Sequence, residues 1–287
     1  MLGRALKMAL WVTYDHLGKL ILANLVCMAG LFIPGLLAMT ALAAEHTGTQ
    51  WVIGAPTAVL TVVVLAPLAA VALAHLAKEL IDNRDGALRD LWTGVQIYGW
   101  RAVGLGALYA GAVCCLLSSA WFYSNVFRET LPWLGFTLTA LALWCLAYVT
   151  LVWMLAIPTL VQKNGAVRQT VKLSALLVLD NPVFALGLAI QLGALGLISV
   201  PMLPLMIFLS GSVAAVLLTS AYEQLARKYA LMEMRKAGVH APDTGMPLEG
   251  FGPGVRVISR EGVLEVDETQ DDYLNRGLRD FMFPWKG

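Results

Sequence analysis

Apolar positions in this chain come in long blocks, not at the two-residue period of a half-buried strand or the 3.6-residue period of a surface helix. Six blocks stand out, at residues 20–44, 51–76, 102–122, 131–161, 182–200 and 202–222. Crossing the hydrocarbon of a bilayer takes about 20 mostly apolar helical residues, because lipid offers no partner for backbone N–H and C=O groups. The pattern therefore predicts an all-α membrane protein, a six-helix transmembrane bundle. The fourth block is longer than a bilayer needs and should tilt or extend past the interface. Only Pro201 separates the fifth from the sixth, so the turn between them should be tight.

Composition agrees: 59% of residues are hydrophobic and 14% are charged, against roughly 25% charged in soluble domains. A net charge of +1 gives no general attraction for nucleic acid, and the placement of the charges matters more than their sum. With alternate connections assigned to opposite sides, every Lys and Arg except Arg128 falls on one side. The positive-inside rule makes that side cytoplasmic and puts both termini there. The chain is therefore expected as a multi-pass protein of an inner-membrane type, and the resemblance given below implies the bacterial cytoplasmic (inner) membrane. Arg4 and Lys7, ahead of an apolar run that reaches Ala41-Leu42-Ala43, raise the question of a cleaved signal, but the run exceeds the roughly 7 to 15 residues of a signal core and suits a retained span. Trp11, Trp51, Tyr98, Trp100, Trp121 and Trp133 fall at expected boundaries, where headgroups favour aromatic rings.

A weak internal repeat divides the chain into three hairpin units. Each opens on a basic, partly amphipathic stretch: Arg4-Ala5-Leu6-Lys7, Gly86-Ala87-Leu88-Arg89 and Gly165-Ala166-Val167-Arg168. Lys19 follows Lys7 at the same spacing as Arg101 follows Arg89, and in the third unit Asp180-Asn181-Pro182 stands there. These stretches are expected either as helices lying in the cytoplasmic interface or as plain positive-inside loops. The plan is similar to that of mitochondrial carriers, but their Pro-x-Asp/Glu-x-x-Lys/Arg signature has no counterpart, since Pro34 is followed by Gly35 and Leu36.

Local patterns add a second resemblance. They are Tyr14-Asp15-His16-Leu17-Gly18-Lys19 leading to Asn24, Pro56-Thr57-Ala58, Arg89-Asp90-Leu91-Trp92, and Lys172-Leu173-Ser174-Ala175 through Asp180-Asn181-Pro182. In these and in its layout up to Tyr229 the chain resembles the YesL-type family of bacterial integral membrane proteins. That resemblance implies a carbohydrate-utilisation context and no known molecular activity.

Candidate chemistry is sparse. Within the six blocks only His75 titrates near neutrality, and with Glu79 and Lys78 close by it offers either an interfacial proton or metal site or a snorkelling boundary residue. Asn24 and Gln191 are the other candidates for a polar cavity, with interhelical hydrogen bonding as the plainer role. Cys27, Cys114, Cys115 and Cys145 form no Cys-x-x-Cys pair and read as small buried hydrophobes. Ala107-x-x-x-Gly111, Ala189-x-x-x-Gly193 and Gly211-x-x-x-Ala215 allow close helix packing, and the prolines at 34, 56, 67, 158, 201 and 204 read as kinks or as breaks exposing backbone groups. No nucleophile, base or metal constellation is visible, so no catalytic, cofactor-binding or metal residue is expected and the chain reads as a non-enzyme.

Residues 237–287 form a short cytoplasmic tail after a membrane domain of residues 1–236. Val255 to Ser259 and Val263 to Val266 flank Arg260-Glu261-Gly262 as an expected β-hairpin. Tyr273, Leu274, Leu278 and Phe281, followed by Phe283 and Trp285, form an aromatic amphipathic segment that docks either on a partner or the membrane surface, or back on the protein's own loops. The expected partners are the lipid bilayer and a membrane transporter or regulatory protein. The leading functional expectation is a non-enzymatic accessory or regulator of carbohydrate uptake or utilisation, and the alternative is a transporter of a neutral or amphipathic small molecule.

Overall fold

The computed structural model describes residues 2–44, 46–127, 131–199, 201–202, 204 and 206–236, and every regular element among them is helical. The expected β-hairpin and the aromatic segment from Tyr273 to Trp285 lie outside the described residues. The elements are α1 (Leu2–Asp15), α2 (Leu17–Leu42), α3 (Thr47–Asp82), α4 (Arg89–Val126), α5 (Pro132–Lys163), α6 (Val167–Asp180), α7 (Pro182–Ser199) and α8 (Gly211–Lys236). Five of them, α2, α3, α4, α5 and α7, are long and apolar enough to cross a membrane, and they contain the first five expected blocks. The sixth block covers a π-helical turn, Met206–Ser210, and the first half of α8. Ser212, Thr219, Ser220 and Glu223 interrupt that helix at helical spacing, which lowers its apolar character.

A helix contains the first basic stretch and begins within the second and third, at Arg89 and Val167, and the three join their spans differently. In the first unit α1 breaks from α2 at His16, and in the third α6 breaks from α7 at Asn181. In the second unit the stretch and the span form one helix, α4, so its surface segment is continuous with the crossing. The α1 side chains Ala5, Met8, Ala9 and Val12, spaced three and four apart, are buried, while Leu6, Leu10 and Tyr14 form an exposed stripe on the opposite side. A helix apolar on both sides in this way suits the interface, with one face on protein and the other toward acyl chains.

Two π-helical segments widen α3, at Gln50–Gly54 and Leu60–Leu65, and each precedes a proline, Pro56 or Pro67. Proline has no N–H for the carbonyl four residues earlier and its ring crowds that carbonyl, so loosening the preceding turn relieves the clash. The carbonyl released by Pro67 belongs to Val63. Gly106 of α4 lies against it so closely that a Cβ there would sit 2.6 Å from the Val63 oxygen.

Packing is concentrated at the end of the bundle that carries the basic residues. In α3 no side chain is buried from Ala55 to Leu65, whereas ten are buried from Pro67 to Ile81. In α5 the buried run is Leu155 to Val161, and in α4 most buried residues precede Ala107. Here α8 inserts among α1, α2, α3, α5 and α7 and joins one apolar core built from Met8, Leu20, Leu76, Leu80, Leu155, Leu188 and Leu225. A smaller core, with Tyr98, Leu105, Ala156 and Leu160, joins α3, α4 and α5. Apolar side chains in the other halves of the helices lose little by facing lipid, which is why they can remain unpacked.

Several expectations change. Cys114, Cys115 and Cys145 are exposed on α4 and α5, and Cys27 is half-buried, because Cys115 and Cys145 line a shallow groove on the outer face of that hairpin and Cys27 lines an open cleft between α2, α3 and α4. Trp11 and Tyr98, expected at headgroup level, are buried against neighbouring helices. Of the three small-residue pairs only Gly211 and Ala215 pack inside the bundle, since Gly111 and Gly193 have open space where a Cβ would stand.

Candidate functional site: a polar seam in the packed end

The helix that inserts into the larger core, α8, also carries the longest run of buried polar side chains among the described residues. Ser212, Thr219, Ser220, Glu223, Gln224 and Arg227 of α8 are all buried, with Glu223 at 0% and Arg227 at 4% exposure. Thr219, Glu223 and Arg227 follow one another at intervals of four, and Ser220 and Gln224 do the same, so they form a double row along the helix. Polar and ionisable side chains are thus more numerous inside the protein than the sparse candidates within the six blocks suggest. Placing the end of the sixth block at Tyr222 assigned Glu223 and Arg227 to the cytoplasm, whereas α8 continues without a break and α1 folds over it. The same spacing in the sequence was the signal that could have revealed the seam.

Gln224 Nε2 lies 3.9 Å from the Met8 sulfur of α1, a weak acceptor. Thr219 Oγ1 and Ser220 Oγ have no hydrogen-bond partner among the described residues, and neither has Ser174 Oγ on α6. Buried charges are costly in a low-dielectric interior and persist where neighbouring groups compensate them. Glu223 and Arg227 stand one helical turn apart, with the hydroxyls of Thr219 and Ser220 on the same side of the helix.

Asn24, His75 and Gln191 have different neighbours. Asn24 is fully buried and bridges the break before α8: its Nδ2 donates to the Ile207 carbonyl at 2.7 Å, and its Oδ1 accepts from the Ser212 N–H at 3.1 Å. Residues 207 and 212 are five apart, the pair a π turn would join directly, so the carboxamide of Asn24 is inserted into the backbone ladder. This is interhelical hydrogen bonding that stabilises a helix defect. His75 faces the other core, its ring edge-on to Tyr98 with centroids 5.8 Å apart. Gly94 allows this approach, because a Cβ there would stand 2.7 Å from His75 Cβ. Gln191 is half-buried on α7, and its Oε1 has no hydrogen-bond partner among the described residues.

Polar ties close each hairpin unit at the basic end. In the first, Lys19 at the start of α2 pairs with Asp85 beyond α3 at 3.2 Å. In the second, Arg101 Nη1 donates to the Asn164 carbonyl at 2.9 Å and to its side-chain oxygen, and Asn164 is the left-handed residue (φ 47°) that ends α5. In the third, the Tyr229 hydroxyl donates to Asp180 Oδ2 at 3.1 Å, Asn181 Nδ2 donates to the Tyr229 oxygen at 2.8 Å, and Lys228 donates to Asn181 Oδ1. Burial raises the Tyr229 hydroxyl above the usual tyrosine pKa, the Asn181 bond opposes that rise, and Asp180 adds to it. Lys19, Arg101 and Asp180 are the residues that recur at equal spacing in the sequence. The structural repeat is thus a clasp between the entry of each unit and the end of its return helix.

Two cavities lie between the units. One of about 370 Å³ is bounded by α3, α5, α7 and α8 and lined by apolar side chains together with Thr150, whose hydroxyl donates to the Leu146 carbonyl. A second, of about 460 Å³, lies between α2, α3 and α4, and its only polar side-chain groups are the thiol of Cys27 and the indole N–H of Trp92. Among the described residues no three His, Cys, Asp or Glu side chains come together in a metal-binding arrangement. Neither a family model, nor a curated protein, nor a solved structure matches this chain.

Proposed function

We propose that this chain is a six-crossing protein of the bacterial cytoplasmic membrane, with both termini in the cytoplasm, that acts without catalysis as an accessory or regulator of a carbohydrate uptake or utilisation system. The context comes from its resemblance to the YesL-type family. The observation carrying the accessory role is the hairpin of α4 and α5. Beyond the packed end its two helices touch mainly one another, and Trp121, Trp133, Phe136 and Trp144 are each exposed by two thirds or more. A shallow groove of about 560 Å³ runs along this face between Ala112, Cys115 and Leu116 on one side and Trp144, Cys145 and Val149 on the other. Small residues at such a groove let another transmembrane helix approach closely, and the aromatic rims supply contact area. The aromatic segment of the tail would provide a second, cytoplasmic contact.

A photo-crosslinking residue at Ala112 in native membranes tests this. A specific adduct with a membrane transporter or regulator is expected, and recovery of lipid adducts alone would count against the reading. The cavity at the junction of the units favours a second reading, transport of a neutral or amphipathic small molecule. Pro158 lines it and leaves the Met154 carbonyl without its usual helical donor. Flux of such a molecule into vesicles containing the purified chain, lost on filling the cavity through Ala189→Phe, would establish that alternative.

A further inference from the structure

We infer that the cleft between α2, α3 and α4 holds one acyl chain of an anionic phospholipid from the leaflet at the basic end, with the headgroup at Arg89. The lining begins at Leu88, Leu91 and Trp92, where α4 starts, and continues to Gly30 of α2 and Leu65 of α3, each about halfway along its helix. The cleft therefore spans about one leaflet, and its volume of about 460 Å³ is bounded by aliphatic and aromatic carbon, small residues and the Cys27 thiol. A second transmembrane helix would need a face running the full membrane depth, whereas this cleft ends near the middle.

Its mouth has the chemistry of a headgroup contact. Trp92 is 64% exposed there, as interfacial tryptophans are. The neighbouring acids are engaged within the protein, Asp85 by Lys19 at 3.2 Å and Asp90 by the Ala87 N–H at 2.7 Å. The Arg89 side chain is exposed and makes no hydrogen bond or ion pair among the described residues. It stands next to Leu88 at the N-terminal end of a long helix, where the helix dipole adds to the attraction for phosphate. Phosphatidylglycerol supplies a single net negative charge and is the probe of choice. The inference is independent of the accessory reading, because no residue that lines this cleft lines the α4–α5 groove.

The test uses the full chain, extracted from vesicles of phosphatidylcholine containing a minor share of phosphatidylglycerol, with retained lipid read by native mass spectrometry. The wild type should keep one phosphatidylglycerol per chain, preferred over phosphatidylcholine by roughly fivefold, the equivalent of ~1 kcal/mol for one basic residue at the surface. Gly30 offers a clean way to fill the cleft, since a Cβ there meets nothing within 4 Å. Gly30→Phe should reduce retained lipid severalfold, and Gly30→Leu provides a milder filling if Phe perturbs folding. Arg89→Gln should keep the bound lipid and lose its headgroup preference. Undiminished retention in both Gly30 variants overturns the inference, as does equal retention of the two lipids by the wild type. Capture of a protein segment by a crosslinker at position 30 would also overturn it.

Discussion

At the scale of single residues, Asn24 shows how a polar side chain inside an apolar block stabilises helix geometry. Its two amide atoms bond the Ile207 carbonyl and the Ser212 N–H across the π turn before α8. Asn24→Ala leaves both backbone groups short of a partner in a buried setting, which costs about 1–3 kcal/mol. Thermal unfolding in detergent should detect that loss, and Asn24→Gln, which cannot reach both groups in the same geometry, should restore only part of it. His16 lies outside the crossing segments, at the break between α1 and α2. Burial lowers its pKa from the usual 6.5, with Lys19 adding to the effect. A folded pKa below the unfolded one means that the fold favours neutral imidazole, so this contribution to stability is intact above about 6.5 and lost as pH falls from there toward the lowered value. Unfolding temperatures measured at about pH 7.5 and about pH 5.5 should diverge in the wild type and converge in His16→Gln. Asn24 stood out in the sequence as a lone polar residue between apolar neighbours. Glu223 and Arg227 did not, because charges that follow an apolar block read as the return to water, and only the packing of α1 over α8 encloses them.

Among the elements, the length and apolarity of α2, α3, α4, α5 and α7 were legible directly, since lipid demands both of any crossing helix. The π segments of α3 were half legible. Pro56 and Pro67 announced that the ladder would be interrupted, but widening over a full turn depends on neighbours such as Gly106 coming close. The recurrence of Lys19, Arg101 and Asp180 was visible as spacing and acquired a meaning only when each proved to clasp the end of its own hairpin. Lys19 with Asp85 is an exposed ion pair and Arg101 with Asn164 an exposed charged hydrogen bond, each contributing about 0–1 kcal/mol under salt screening, and the Lys228 bond to Asn181 is part-buried. Arg101→Gln, Lys19→Gln and Lys228→Gln should each lower stability by no more than about 1 kcal/mol. Being in different units, they should add within a few tenths of a kcal/mol in the triple variant. Denaturation of the three single variants and the triple variant, at low and high salt, checks both size and additivity.

For the molecule as a whole, the dominant feature is its uneven packing. Buried side chains gather at the basic end, and the polar seam of α8 lies among them. The opposite halves of the helices present bare apolar surface, the α4–α5 hairpin among them. No periodicity within one block distinguishes a helix wrapped by other helices from one wrapped by lipid, because both are apolar all round. The central claim is that three hairpin units cross the membrane six times and gather their clasps on the cytoplasmic side. Single cysteines introduced into a cysteine-free chain at Thr47, Leu131 and Met202, and at Ala87 and Lys163, test it through labelling of intact spheroplasts with a membrane-impermeant maleimide. Positions 47, 131 and 202 should react in intact spheroplasts, and positions 87 and 163 only after permeabilisation. Labelling at 202 that required permeabilisation would mean α8 does not return across the bilayer, and labelling at 87 or 163 in intact spheroplasts would invert the proposed orientation.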